Sequence, residues 1–208
     1  MIEEMNERDL CRVRLRFLDL IKSFFVEEPD AEKMSRWRGI FSALAREQVS
    51  PRFDKAVREI SRALQEKSLK DLKSEYYHLF VDPCGGALVE TTASYYRNGR
   101  SYSQALADIR GLMAEAGLCK EPVVTEPEDS LVVMLDTFAS MVEEEQRDDG
   151  LPVRELQGRL LEEFLAPVAE KLAAVLHDNE YADFYSRCCQ VLCCYLDLEK
   201  GLVAAETF

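Results

Sequence analysis

The residues of this chain best suited to chemistry are its seven cysteines, and four of them fall in Cys-Cys-Gln-Val-Leu-Cys-Cys at 188–194. On a helix, Cys189 and Cys193 share a face and could supply two thiolate ligands to a metal. Cys188 and Cys194 project elsewhere, so one straight helix does not converge all four. Small apolar thiols packed against neighbouring helices account for the same letters, since free Cys is among the most buried residue types. Packing is the reading adopted, and no metal or cofactor is assigned. The odd total, completed by Cys11, Cys84 and Cys119, argues for reduced thiols over a disulfide framework.

Catalysis finds no purchase elsewhere. The two histidines, His78 and His177, lie far apart, with no Ser, Cys or carboxylate at recognisable spacing. The Gly85-Gly86 pair lacks the Lys-Ser/Thr of a phosphate loop and a strand before it. No catalytic residue is assigned, and the chain is read as a non-enzyme.

Two other stretches could grip a ligand without changing it. The first is Tyr-Tyr-His-Leu-Phe at 76–80, followed by Pro83 and Gly85-Gly86. Tyr76, Leu79 and Phe80 end an amphipathic stripe, and they are either plain core or one wall of a groove rimmed by residues 82–100. The second is Glu-Pro-Glu-Asp-Ser at 126–130. Thr125 and Glu128 have capping-box spacing with Pro127 in the first turn, which places a helix start here. The acids Glu126, Glu128 and Asp129 either cap that helix or form an electronegative site at its open N–H groups. As a site, carboxylates beside apolar walls suit an Arg-containing apolar peptide through bidentate guanidinium pairing.

The elements that must position these residues are helices. Leu10, Val13, Phe17, Ile21 and Phe24 recur at helical spacing, as do Trp37, Ile40, Phe41 and Leu44. Ser50-Pro51 opens a helix carrying Phe53, Val57, Ile60 and Leu64. A stripe from Leu69 to Phe80 ends at Pro83 and Gly85-Gly86. Residues 82–100 read as the longest irregular segment. Helix resumes at Ser101, with Gln104 completing a capping box, and stops at Gly117. The stripe from Leu131 to Val142 ends at Asp148-Asp149-Gly150, and Pro152 opens the next helix, which Pro167 should kink. A last helix starts near Asp178. Sustained strict alternation of apolar and polar residues is missing, so the expected fold is all-α, one domain over 1–208 of roughly seven to nine helices. A hinge near 117–127 would separate an N-terminal part, 1–116, from a C-terminal part, 128–208.

Charge narrows the partners. With 39 acids against 26 bases the formal charge is −13, which disfavours nucleic acid and anionic lipid and favours basic ligands. The longest apolar run, Leu131–Leu135, is far below the ~20 residues of a membrane span. The acidic start, Met-Ile-Glu-Glu-Met-Asn-Glu, does not read as an export signal, which gives a cytoplasmic expectation.

At Tyr76-x-x-Leu79-Phe80, Pro83, the Glu90…Ser94-Tyr95 segment and Glu126-Pro127-Glu128-Asp129, the chain resembles the TorD/DmsD/NarJ family of redox-enzyme maturation chaperones. The order and separation of these motifs hold over roughly Leu10 to Leu198. The resemblance implies an all-helical cytoplasmic chaperone. Such a protein binds the N-terminal twin-arginine signal peptide, and often the body, of a molybdenum or tungsten oxidoreductase catalytic subunit, and holds it until cofactor insertion. It places Tyr76, Leu79 and Phe80 in the signal-peptide groove and Pro127, Asp129 and Ser130 at its other side. The usual Asp-His pair is Asp129-Ser130 here, so the imidazole of that pair is missing. Some members exchange halves between protomers, giving a monomer or a domain-swapped dimer.

Three alternatives remain. One is a nitrate-reductase-type assembly factor whose client is not exported. Another is a cofactor-carrying accessory protein using the 188–194 cysteines, and the third is a structural subunit of a membrane-bound reductase.

Overall fold

A computed structural model of the protein describes residues 6–82, 88–145 and 151–205. They form α1 (Glu7–Phe25), α2 (Ala31–Leu44), α3 (Pro51–Glu66), α4 (Leu69–Phe80), α5 (Ala93–Asn98), α6 (Gln104–Glu115), α7 (Leu131–Glu145), α8 (Leu151–Leu160), α9 (Ala166–His177) and α10 (Phe184–Ala205). A π turn, Leu161–Leu165, joins α8 and α9 into one continuous run, leaving nine helical rods among the described residues. The all-α expectation is met. The one β feature recorded is an isolated antiparallel bridge between Thr92 and Ser130.

Several boundaries follow from local chemistry. Ser50 caps α3 by accepting the Phe53 N–H, with Pro51 in the first turn. Ser68 and Asp71 form a reciprocal capping box at the start of α4. Gly117, at φ 68°, ends α6 in a Schellman turn: its own N–H bonds the Ala114 carbonyl, and the Leu118 N–H reaches the Met113 carbonyl.

Other boundaries differ from the sequence reading. The segment 82–100 is not wholly irregular, because it holds the six-residue α5. The N-cap of α6 is Ser103, not Ser101, and its hydroxyl accepts the Ala105 N–H. The last helix begins at Phe184, with a turn between Asp178 and Asp183. The break expected at Pro167 takes the form of the π turn just before it, where the Ala166 N–H bonds the Leu161 carbonyl five residues back. The stops expected at Pro83 with Gly85-Gly86 and at 148–150 lie outside the described residues.

The chain divides into two compact units, each assembled from separate stretches. The first comprises Met1–Lys22, Thr92–Val168 and Lys200–Phe208, and it contains the whole of 117–127. Its α7 packs on α8 and the π turn, while α6 packs on α5 and α8. The apolar face of α7, Leu131, Met134, Leu135, Phe138, Met141 and Val142, is buried. A polar network is buried with it. Glu145 accepts from Arg14 (3.1 Å), Gln157 (2.9 Å) and Arg154 Nε (2.9 Å), and Gln157 also bonds the Met141 carbonyl at 3.1 Å. Burial alone would raise the Glu145 carboxyl, but these donors outweigh it and hold it below the ordinary range.

The second unit comprises Ser23–Thr91 and Ala169–Glu199. Phe24 is the hub of its aromatic core, with Trp37 at 5.1 Å, Phe41 at 6.0 Å and Phe184 at 6.2 Å between ring centres. The Trp37 indole N–H is satisfied by Ser23 Oγ at 2.8 Å. Cys188, Cys189 and Cys194 are buried in this unit and Cys193 half-buried, as packing requires. The Cys189 thiol donates to the Ala169 carbonyl at 3.5 Å.

Candidate functional site

The residues singled out from the sequence fall into two groups, one in each unit. In the second unit, Tyr76, Leu79 and Phe80 close α4. Leu79 is buried, and its carbonyl accepts the Val89 N–H at 2.8 Å, which pins the chain after residue 88 to the helix end. Tyr76 and Phe80, one helical turn apart, are half-buried with ring centres 5.1 Å apart. Both rest on the ring of Tyr185, at 5.8 and 5.2 Å. They are therefore core and surface at once. Exposed Tyr77, Val81 and Tyr181 extend the same unit's apolar surface, and His78 stacks on Tyr181 at 4.8 Å.

Glu75 holds this wall in place. It is buried on the apolar stripe between Leu72 and Leu79, and its Oε1 accepts the Tyr185 N–H at 2.7 Å. That N–H belongs to the first turn of α10, where no intrahelical acceptor exists, so Glu75 caps α10 from another helix. Lys67 lies 3.5 Å from its other oxygen and 2.9 Å from Asp183. Burial dominates the Glu75 carboxyl and raises it despite the capping N–H and Lys67, whereas Lys67 and Arg187 overcome burial at Asp183 and lower it. A lone acid on an apolar stripe was the signal in the sequence for this residue.

In the first unit the acidic segment is not a helix start. α7 begins at Leu131 with Ser130 as its cap, the Ser130 hydroxyl accepting the Val133 N–H at 3.3 Å. Thr125 forms no capping box, and its hydroxyl donates to Glu126 at 3.3 Å. Pro127 stands before the helix, in a turn closed by the Ser130 N–H on the Pro127 carbonyl at 3.0 Å. The three acids have separate fates. Asp129 is buried, with its carboxylate on the Ser94 N–H and its carbonyl on the Ala93 N–H, each at 2.8 Å. Glu128 pairs with the exposed Arg110 at 2.9 Å, which lowers its carboxyl. Glu126 is exposed.

Asp129 thus caps α5 across the tertiary structure. Thr92, the residue in the local capping position, makes no side-chain cap, and its buried Oγ1 has no partner among the described residues. Ser94 continues the network by accepting the Ser103 N–H at 3.0 Å, which links the starts of α5, α6 and α7. Neither Ser94 as a hub nor Tyr185 was legible from local pattern.

No group of three or more His, Cys, Asp or Glu side chains among the described residues is arranged to hold a metal. No described helix is long and apolar enough to cross a membrane.

A solved crystal structure, of a protein from Archaeoglobus fulgidus assigned to redox enzyme maturation, shares this fold. It has 22% sequence identity, a TM-score of 0.53, and coverage of 89% of this chain and 94% of that one. No curated protein matches the chain. The family described as nitrate reductase delta subunit matches residues 46–174, more than half of the sequence, so the protein belongs to that family, the NarJ/TorD type of redox-enzyme maturation chaperone.

Proposed function

We propose that this chaperone binds the N-terminal signal peptide of a molybdenum or tungsten oxidoreductase catalytic subunit in the cytoplasm and holds the subunit until its cofactor is inserted. The observation that carries the reading is the half-open aromatic wall of Tyr76 and Phe80 on Tyr185. Aromatic side chains left partly exposed at a helix end suit Leu- and Phe-type residues of a peptide. The charge of −13 supports a basic partner. Glu126 is the acid of its segment best placed to meet a guanidinium, Pro127 shapes its turn, and Asp129 and Ser130 fix the backbone around it. A hinge at 117–127 with exchange of halves between protomers belongs to the same reading.

The family match favours a second client type, a nitrate-reductase catalytic subunit whose N-terminus is not an exported signal. Affinity capture from the native cell, with mass spectrometry of bound proteins, identifies the client. Calorimetric titration with that client's N-terminal peptide, with and without its paired arginines, then separates the two readings. Loss of binding on removing the arginines supports the exported client, and undiminished binding supports the other. Capture of no oxidoreductase subunit, together with no heat from any such peptide, sinks both.

A further inference from the structure

Tyr185 carries a buried hydroxyl with nothing to bond. Its side chain is 0% exposed, and its Oη has no hydrogen-bond partner among the described residues. Withdrawing a phenol O–H from water without an acceptor destabilises the fold. The other such orphan, Thr92 Oγ1, is accounted for by Asp129, which has taken over the cap that Thr92 would have made. Tyr185 has no such account.

Its surroundings supply one. The Tyr185 ring packs against Phe25 at 6.4 Å and Phe184 at 5.4 Å, both buried, and against Tyr76 and Phe80, both half-exposed. Turning a half-exposed ring to a second rotamer needs no backbone movement and is fast. The chemistry of what could then enter is constrained. Burial drives the phenol far above its ordinary ionisation range, with Cys188, Tyr76 and Glu75 adding in the same direction, so it is a donor at working pH. Taking a charged carboxylate or phosphate oxygen into this buried aromatic setting would cost far more than one hydrogen bond returns. A neutral acceptor, a peptide carbonyl, would not.

We propose that Tyr185 is a binding residue whose hydroxyl donates to a main-chain carbonyl of the bound peptide, beside the apolar side chain that displaces Phe80 or Tyr76 from the wall. The inference rests on the peptide-binding reading and adds to it the buried hydrogen bond that fixes peptide register.

The test compares wild type with Tyr185→Phe in thermal unfolding and in calorimetric titration. The probe is a synthetic peptide carrying two adjacent arginines followed by a Leu/Phe-rich run. Deleting an orphan hydroxyl leaves the melting temperature of the free protein unchanged or higher, while deleting the ligand's donor weakens the peptide about tenfold. Both results together are expected. Unchanged affinity in Tyr185→Phe, with wild type binding normally, overturns the role of Tyr185 and leaves peptide binding intact. A lower melting temperature also overturns it, since the hydroxyl would then already be satisfied in the free protein. Failure of the wild-type chain to bind this probe removes the twin-arginine peptide reading and this inference with it.

Discussion

The carboxylate of Asp129 accepts the backbone N–H of Ser94 at 2.8 Å, across 35 residues of sequence. A residue that looks in sequence like part of an exposed acidic patch is buried and caps a helix it does not belong to. Asp129→Ala leaves the Ser94 N–H without an acceptor in a place water does not reach, while the Ala93 N–H keeps the backbone carbonyl of residue 129. It should therefore cost about 1–3 kcal/mol in urea unfolding. The melting temperature falls, contrary to what a surface site would give. Asp129→Asn keeps an oxygen for Ser94 and should cost less. Equal stability of Asp129→Ala and wild type would return the residue to the surface.

Phe80 makes a different prediction because it is half-buried. Its ring touches Tyr76, Tyr185 and, at 6.5 Å, Phe25. Truncating a fully buried Phe costs about 3–5 kcal/mol. Phe80→Ala should cost roughly half of that and also weaken the client peptide, whereas a core-only residue would change stability alone.

How far the sequence reached depends on how local the determining contact is. α3 and α4 were legible because Ser50-Pro51 and the apolar stripes act within a turn or two of themselves. The start of α7 was misplaced because Thr125, Pro127 and Glu128 spell a capping box in letters. The backbone there is instead committed to the Thr92–Ser130 bridge and the Ser94–Asp129 bond. α5 was missed because six residues carry no stripe and its cap comes from elsewhere in the chain. Tyr76, Leu79 and Phe80 were found as a stripe. Their backing by Glu75 and Tyr185 depends on where α10 lies, and no spacing within α4 encodes that.

Two glycines should respond with opposite signs. Gly117 sits at φ 68°, with open space where a Cβ would be, so Gly117→Ala bears only the left-handed backbone cost, roughly 1 kcal/mol. Gly158 lies inside α8, and an added Cβ would meet Val203 Cγ1 at an ordinary 3.5 Å. Gly158→Ala should stabilise by about 0.5–1 kcal/mol through unfolded-state entropy and helix propensity. Denaturant midpoints of the two variants on either side of wild type are the expected result, and two shifts of one sign contradict it.

Glu75 predicts a pH dependence whose sign is opposite to that of most carboxylates. Burial raises its carboxyl in the folded chain above the unfolded value, about 4.3. Between those two values the native state holds the proton more tightly than the unfolded state does. Its contribution is therefore fully present below the unfolded value and is lost as pH rises through the folded one. Asp183, three ångströms from the same lysine, runs the other way. Its lowered carboxyl contributes above its unfolded value and loses that contribution as pH falls through the folded one. The two windows lie on opposite sides of pH ~4 and can be separated. Glu75→Gln keeps an oxygen for the Tyr185 N–H and removes the titration. Its unfolding free energy should therefore decline less than that of wild type as pH rises from about 4.5 toward neutrality. Parallel curves for the two proteins across that range would mean that Glu75 ionises in the folded chain as it does in the unfolded one.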